Sequence, residues 1–318
     1  MDVFFVVLNQ TAIMMVLIAI GYLLGRKRIV SEEAGRDLAV IETRFFLPAY
    51  LFTVLSESLS AEKLRVDIKY LLFGLFFHLA LIALAFGLSR TVRGDALERF
   101  MAFYMLTYPN FGYFGYPVIE AAYGQEMLSQ FIIFGLPFTI SINTYGAYLL
   151  TTRRSQPMGV KYNFSLKDFS TLPYEVFASV ILGSLCGLLD VPLPGVIRNF
   201  FSFSAACMSP VAMLLTGLVL SALPLSQIFG SWKAYYFNVL KLIILPAITG
   251  LVLYLVGLRG GYFAFPVLMA AMPVGMNVVI FSRPEQLDYQ RTGVICFISY
   301  VIALLTIPAV FGILSLLM

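Results

Sequence analysis

The sequence predicts an all-α polytopic membrane protein whose ten transmembrane helices form two inverted five-helix repeats. Three observations lead to this fold class: the composition, the length of the apolar runs, and a pattern of glycines and prolines that occurs twice. Of the 318 residues, 60% are hydrophobic and only 12% are charged, and the mean hydropathy is +0.90. A soluble domain cannot bury that much apolar surface. The apolar runs are continuous rather than alternating, which favours helices over a β-barrel.

Ten apolar runs are present, each close to the roughly 20 residues that cross a bilayer as a helix. The connections are short except for the polar stretch 151–172, which is predicted to be a cytoplasmic linker. It separates a first repeat, 1–150, from a second repeat, 173–318. In chain order, spans 1 to 10 are predicted at 3–24, 36–57, 67–89, 98–119, 127–150, 173–190, 196–222, 232–257, 262–282 and 292–316.

The distribution of basic residues predicts the orientation of these spans. The loops that follow odd-numbered spans contain fourteen Lys and Arg residues, whereas the loops on the opposite side contain five. Because cytoplasmic loops are enriched in Lys and Arg, both termini are predicted to be extracytoplasmic and the linker cytoplasmic. The net charge of +4 therefore reflects residues that flank the membrane, and it does not indicate a nucleic-acid partner.

The two halves of the chain share a pattern of small residues and prolines. IAIGYLLG at 18–25 is similar to VILGSLCG at 180–187, and FLPAYLF at 46–52 is similar to MSPVAML at 208–214, both at an offset of 162. Because each half contains an odd number of spans, the second half has to lie inverted in the membrane relative to the first. Inverted repeats with matching interrupted helices are typical of secondary transporters.

The interrupted helices are predicted in span 4, with YPNFGYFGYP at 108–117, and in span 9, with AMPVGMNVVIF at 271–281. Proline frees a backbone carbonyl and glycine permits non-helical dihedral angles. Unwound backbone at membrane depth is tolerated only inside the protein or along a polar cavity. The N-terminus of a half-helix suits a carboxylate or a phosphate, and its C-terminus suits a cation. Proline kinks with asparagines bonded between helices are the alternative interpretation. The predicted substrate-binding residues are Pro109, Asn110, Phe111, Gly112, Gly115, Pro273, Gly275, Met276 and Asn277.

The same segments resemble a known family. The run P-N-x-x-x-x-G-x-P at 109–117 is similar to the fourth-span motif of the auxin efflux carrier family. MPVGMNVVIFSRPEQLDYQRTGVICFISYVIALLTIP at 272–308 is similar to the C-terminal signature of that family, and FLPAYLF at 46–52 also resembles a family run. The resemblance covers essentially the whole chain. The short linker favours a compact bacterial-type member, in the bacterial inner membrane, over a plant carrier with a long cytosolic loop.

This resemblance implies a fold like that of the bile-acid symporters and NhaA, with broken helices that cross in spans 4 and 9. Spans 1, 2, 6 and 7 would form a scaffold, and spans 3–5 and 8–10 a mobile transport domain. Substrate would bind at the crossing and move by an elevator-type mechanism. Asn110 matches the family asparagine that contacts the substrate carboxylate in plant carriers, and Asn277 matches an asparagine frequent in bacterial relatives. Homodimers occur in the family, so a homodimer is a further expectation.

Three basic residues inside the spans are candidates for a role in charge balance or coupling. His78, the only histidine, lies 163 positions before Lys241, and a histidine titrates near neutrality and could carry a coupling proton. A lone histidine is nevertheless more often simply hydrogen-bonded between helices. Arg44 and Lys241 each lie eight residues from a cytoplasmic basic residue, so snorkelling to the surface also explains them. Spans 3, 4, 8 and 9 contain no deep Asp or Glu, which leaves the coupling ion, H⁺ or Na⁺, open.

The function that these patterns favour is secondary-active or facilitative transport of small organic anions, such as auxin-like carboxylates or dicarboxylates. A sodium- or proton-coupled symporter or antiporter of the same fold is the alternative, together with a non-transporting sensor. An enzyme is not expected, because the sequence has no HExxH, no GxSxG and no paired membrane aspartates. The three cysteines are isolated, and neither a metal site nor a cofactor is predicted.

The predicted orientation can be tested with single cysteines at Val160 and Met318 in a background that lacks the native cysteines. An impermeant maleimide added to intact cells should label position 318, which is predicted to be extracytoplasmic, and should spare position 160 in the cytoplasmic linker. Labelling of position 160 from outside would overturn the orientation.

Overall fold

The computed structural model describes residues 2–146, 149–150, 174–222, 231–275, 277–280 and 287–317. These residues are overwhelmingly helical, and their only strand-like pairing is an isolated antiparallel bridge between Pro109 and Val274. The all-α fold class is therefore confirmed. The α-helices are α1 Val3–Arg26, α2 Glu32–Ile41, α3 Leu47–Ser58, α4 Ala61–Ser89, α5 Ala96–Thr107, α6 Tyr116–Ser141, α7 Tyr174–Leu188, α8 Gly195–Leu220, α9 Trp232–Val239, α10 Leu245–Leu255, α11 Gly261–Ala271, α12 Asn277–Ile280 and α13 Leu287–Leu317.

Helical segments occupy all ten of the predicted span positions, as expected for a multi-pass membrane protein. Within the described ranges, seven helical stretches are long and apolar enough to cross a membrane by length and composition. Two more apolar helices, α7 and α11, are shorter than a full crossing. The number of ten crossings stays a prediction, because spans 4, 6 and 9 correspond to short or interrupted helices. The seven stretches are Val3–Arg26, Glu33–Glu57, Asp67–Ser89, Phe111–Gly146, Gly195–Leu220, Trp232–Leu255 and Arg291–Leu317.

Several of these stretches contain a π-helical turn, in which the helix is locally widened. Three of the turns, Glu42–Phe46, Phe111–Gly115 and Leu240–Ile244, lead into α3, α6 and α10. Each of those three helices has a proline as its second residue. Proline has no N–H, and its ring clashes with the carbonyl four residues earlier, so a wider turn relieves that clash. The prolines thus explain the position of these three widened turns.

Gly124 divides α6 into two helical segments. Its backbone has φ 82° and ψ −180°, a conformation that side-chain-bearing residues rarely adopt. The first segment continues the interrupted helix of span 4, and the second is span 5. The sequence places the boundary between these spans at 119–127, so Gly124 is the residue that makes the turn.

The start of α5 is linked to two helices distant in sequence by Glu98. Asp95 and Glu98 form a reciprocal cap at the start of α5, with the Asp95 carboxylate accepting from the Glu98 N–H at 2.7 Å. The Glu98 carboxylate also lies 3.2 Å from Lys233 Nζ in α9 and 2.8 Å from Arg291 Nη1 in α13. Both basic side chains are about half exposed or more, so each pair stabilises the fold only slightly. These contacts hold the N-terminal ends of α5, α9 and α13 together.

Close helix packing recurs at equivalent positions of the two halves. A Cβ atom on Gly21 in α1 would overlap the carbonyl oxygen of Leu214 in α8. A Cβ on Gly183 in α7 would overlap the carbonyl oxygen of Phe52 in α3. The two glycines differ by 162 positions, and so do the two carbonyl-bearing residues. Glycine lets helix backbones approach closely in membranes, where dispersion contacts replace the hydrophobic effect between helices.

We expect Gly21→Ala to destabilise the protein by about 1–3 kcal/mol, because the added methyl group forces α1 away from α8. The loss should appear as a lower melting temperature of the purified protein in detergent. Gly87→Ala is the matched control, since the same methyl group on α4 meets nothing within 4 Å. Equal melting temperatures for the two variants would contradict the close packing of α1 and α8.

Candidate functional site

The α-helical path is interrupted at 108–115, after α5, and at 272–275, after α11; these are the first and the second interruption. The two interruptions lie directly against each other. α5 ends at Thr107 and α11 ends at Ala271, and the residues that follow each helix leave the helical conformation. The backbone N–H of Asn110 donates to the carbonyl oxygen of Pro273 at 2.8 Å, next to the bridge between Pro109 and Val274. Backbone groups that the helices can no longer pair are therefore paired between the two segments.

Other freed backbone groups are paired by side chains from neighbouring helices. The carbonyl of Tyr113, which Pro117 displaces from its helix, accepts from the Ser209 hydroxyl of α8 at 2.9 Å. The N–H of Val274 donates to the Ser299 hydroxyl of α13 at 3.0 Å. A backbone group buried without a partner costs free energy, so these two serines stabilise the interruptions.

The side chain of Asn110 is buried and held in one orientation. Its Nδ2 donates to the hydroxyl of Tyr300 at 2.5 Å, and only 4% of the asparagine is exposed. Tyr300 lies on α13 next to Ser299, and its ring packs near that of Phe114. One turn of α13 therefore orients both the backbone of the second interruption and the amide of the first.

A cavity of about 50 Å³ lies beside the two interruptions, large enough for a few water molecules. Its walls come from four parts of the chain: the π-helical turn before α3 with the start of α3, the first interruption, the end of α6, and the second interruption. The lining residues are Thr43, Leu47, Leu51, Pro109, Asn110, Phe111, Gly112, Tyr113, Tyr116, Thr139, Ile142, Asn143, Gly275 and Asn277.

The cavity wall combines neutral polar groups with aromatic rings. Amides come from Asn110, Asn143 and Asn277, and hydroxyls from Thr43 and Thr139. One amide N–H of Asn143 and the hydroxyl of Thr139 donate to backbone carbonyls of their own helix, at 2.9 Å and 3.2 Å. The cavity therefore offers uncharged hydrogen-bonding groups, and none of its described lining residues is a Lys, Arg, His, Asp or Glu.

Most of the substrate-binding residues predicted from the sequence come together at this cavity. Six of them line it, namely Pro109, Asn110, Phe111, Gly112, Gly275 and Asn277.

The remaining predicted residues lie next to the cavity or cannot be placed. The carbonyl of Pro273 pairs with Asn110, and the N–H of Gly115 donates to the Asn110 carbonyl at 3.2 Å. Met276 lies outside the described residues.

The three basic candidates do not line the cavity. Lys241 is fully buried, and its Nζ donates at 3.0 Å to the carbonyl of Ala270 near the end of α11. Arg44 pairs with Glu175 of α7 at 2.9 Å. His78 packs against the ring of Phe138 at 4.3 Å between centroids, and neither ring nitrogen has a hydrogen-bond partner among the described residues.

Sequence reasoning missed the residues that complete the site from other helices. Thr43, Leu47 and Leu51 line the cavity from span 2, and Ser299 and Tyr300 support the interruptions from span 10. Thr43 lies five residues before Pro48, which was a usable signal for a disturbed turn. Ser299 and Tyr300 carry no such signal, because nothing in the local sequence of α13 indicates which helix it meets.

The comparisons with known proteins cover nearly the whole chain. A model of the family described as membrane transport protein matches residues 6–167 and 174–311. The uncharacterized transporter YfdV of Escherichia coli K12 is 24% identical over 282 residues, which span 87% of this chain and 88% of that protein. The uncharacterized transporter MJ1031 of Methanocaldococcus jannaschii is 23% identical over 308 residues, or 94% and 96% of the two chains. An uncharacterized transporter of Methanothermobacter thermautotrophicus is 24% identical over 306 residues, or 92% and 94%.

We expect Ser299→Ala to lower the free energy of unfolding by about 1–3 kcal/mol, because the buried N–H of Val274 loses its acceptor. The melting temperature in detergent measures this loss. Ser315→Ala, in the same helix, is the control, since that exposed hydroxyl bonds only to the carbonyl of Gly312 within its own helix. Equal melting temperatures for the two variants would show that Ser299 does not stabilise the second interruption.

Proposed function

Because this chain belongs to the membrane transport protein family, that of the auxin efflux carriers, we propose that it carries small organic anions across the membrane. The substrates would be carboxylates, auxin-like or dicarboxylic, and transport would be secondary-active or facilitative. The observation that supports this proposal best is the cavity at the two interruptions, to which both Asn110 and Asn277 contribute.

The chemistry of the cavity suits a carboxylate that has to be bound and released. An amide NH₂ group has two N–H donors, and the bond to Tyr300 uses one donor of Asn110. Backbone N–H groups at the start of the turn Phe111–Gly115 add a partial positive charge. Neutral donors of this kind bind an anion without the tight ion pair that a lysine or arginine would form. A carrier benefits from that weaker hold, because the substrate has to leave on the other side.

We further propose that the two halves are inverted repeats and that spans 4 and 9 are crossed broken helices. The recurrent packing of Gly21 on Leu214 and of Gly183 on Phe52 supports the repeat, because both partners are displaced by 162 positions. The backbone hydrogen bond from Asn110 to Pro273 supports the crossing. In this assignment the first repeat covers 1–150 and the second 173–318.

The position of the cavity beside two groups of helices supports an elevator-type mechanism as part of this proposal. The close glycine contacts join α1 to α8 and α3 to α7, which favours spans 1, 2, 6 and 7 as the scaffold. The interruptions and the end of α6 would belong to the transport domain of spans 3–5 and 8–10. Thr43, Leu47 and Leu51 form the scaffold side of the cavity. Substrate bound to the interruptions would be carried past this fixed wall.

The proposed location and orientation rest on the distribution of Lys and Arg among the loops and on the resemblance to compact bacterial members of the family. We place the protein in a bacterial inner membrane as a multi-pass protein with both termini extracytoplasmic. A homodimer is proposed on the resemblance alone.

The proposed substrate site is tested first by a thermal-shift screen of the purified protein against a library of carboxylates. A ligand at 100 times its dissociation constant stabilises the folded state by about 2.7 kcal/mol, so a bound carboxylate should raise the melting temperature. Asn110→Ala should lose that shift, and in proteoliposomes its uptake of the same carboxylate should fall to the background of empty vesicles.

The control for this experiment is Asn199→Ala, which removes an exposed asparagine from the first turns of α8. It should keep both the thermal shift and the uptake. Without ligand, Asn199→Ala should melt close to the wild type, and Asn110→Ala should melt somewhat lower, because a buried hydrogen bond is lost, but still in one cooperative transition. The cooperative transition separates loss of binding from loss of folding. Unchanged uptake by Asn110→Ala would sink the assignment of the substrate site.

A further inference from the structure

Glu42 is the most unusual side chain in the membrane-spanning part of the described structure. It is 1% exposed, and neither carboxyl oxygen has a hydrogen-bond partner among the described residues. It opens the π-helical turn Glu42–Phe46 in the middle of span 2. An ionised carboxylate buried without a partner is very costly, and ionisable residues inside the membrane usually serve a function. Single π-helical turns also occur often at functional sites.

The position of Glu42 links it to the cavity. Its neighbour in the chain, Thr43, lines the cavity from the span 2 side. Tyr113, which lines the cavity from the first interruption, is close enough to interact electrostatically with Glu42. The carboxyl group therefore lies just behind the cavity wall, where the proposed scaffold meets the proposed transport domain.

Among the residues that the structure describes, no basic side chain pairs with Glu42. Arg44 is two residues away, and residues at that spacing do not share a helix face. It pairs instead with Glu175 of α7. From the elements packed against the turn, the titratable group that faces Glu42 is the phenol of Tyr113. The other charged side chains described on α2, α3 and α8 are exposed: Glu33, Arg36, Asp37, Glu57 and Arg198.

We propose that Glu42 is a proton-binding site coupled to the cavity. A metal cation would need several oxygen ligands, whereas the Glu42 carboxyl has no polar partner in the described part of the chain. A proton needs only the carboxyl itself. The proton enters from water in the cavity, binds one carboxylate oxygen, and returns to water when the group is hydrated. As the carboxyl O–H bond forms, one O–H bond of the hydronium ion breaks and a neutral water molecule remains; release is the reverse.

The consequence for transport rests on the proposed function, that is, on an anion bound in the cavity. A carboxylate substrate near Asn110 and an ionised Glu42 would repel each other across a medium of low dielectric constant. Binding of the anion therefore favours protonation of Glu42, and protonation favours binding of the anion by the same factor. Anion binding in the cavity and protonation of Glu42 would then be coupled, although the described lining of the cavity contains no Lys, Arg, His, Asp or Glu.

The experiment uses dicyclohexylcarbodiimide, which adds to protonated carboxyl groups in apolar surroundings, on the full chain in native membranes. Peptide mass spectrometry should find Glu42 labelled several-fold more than Glu120, an exposed carboxyl of α6 that serves as the internal control. Labelling of Glu42 should fall between about pH 6 and about pH 9 as the proton is released. Glu42→Gln should lose the label at this position and keep the label at Glu120.

Two outcomes would overturn the proposal. Labelling of Glu42 no stronger than that of Glu120 would mean that the group is not a protonated acid in an apolar site. Labelling that is strong but unchanged over the pH range would mean a permanently protonated acid that exchanges no proton.

Infrared spectroscopy provides a second measurement that needs no reagent to reach the site. We subtract the spectrum of Glu42→Gln from that of the wild type. The difference spectrum should contain a positive carboxylic-acid C=O stretching band at about pH 6, and that band should be smaller at about pH 9. Absence of a difference band would also overturn the proposal. Neither measurement uses a substrate, so a failure here is distinct from a failure of the carboxylate screen.

Discussion

The structure depends on one constraint: within a bilayer, every backbone N–H and carbonyl group needs a partner inside the protein. Two helices are interrupted, at Pro109 and at Pro273, and backbone groups there lose their helical partners. The fold places the two interruptions against each other, so that these groups pair between the two segments. Ser209 of α8 and Ser299 of α13 pair one further backbone group each, and Tyr300 of α13 accepts from the Asn110 side chain. The cavity exists because these breaks leave the regular packing of helices incomplete at this point.

The same constraint explains how the protein handles charge in its apolar interior. Lys241 is fully buried and donates to the carbonyl of Ala270, close to the point where α11 ends and its carbonyls lose their helical partners. Arg44 reaches Glu175 of another helix. Both groups have partners in the fold, and neither lines the cavity. Glu42 differs because nothing described in the structure balances it, and that difference makes it the strongest candidate for chemistry with protons.

The site was only partly predictable from sequence. Six of the nine residues named for substrate binding line the cavity, because prolines, glycines and asparagines disturb a helix wherever they occur. The role expected for Lys241 illustrates the limit. Its position in an apolar span indicates importance, but whether the amine faces a ligand or a carbonyl depends on the helix beside it. Tyr300 was missed for the same reason, since an aromatic residue in an apolar span is unremarkable until its neighbour is known.

What the sequence determined by itself is the helical class, the membrane environment and the position of the two interruptions. These features are local: hydropathy fixes which segments leave water, and proline fixes where a helix cannot continue. The tertiary structure alone decided that the interruptions meet and that span 2 forms the facing wall. It also decided that Arg44 pairs with Glu175 while Glu42 has no hydrogen-bond partner among the described residues. Contacts between helices depend on the rotation and distance of each helix, which the order of residues along a single helix does not specify.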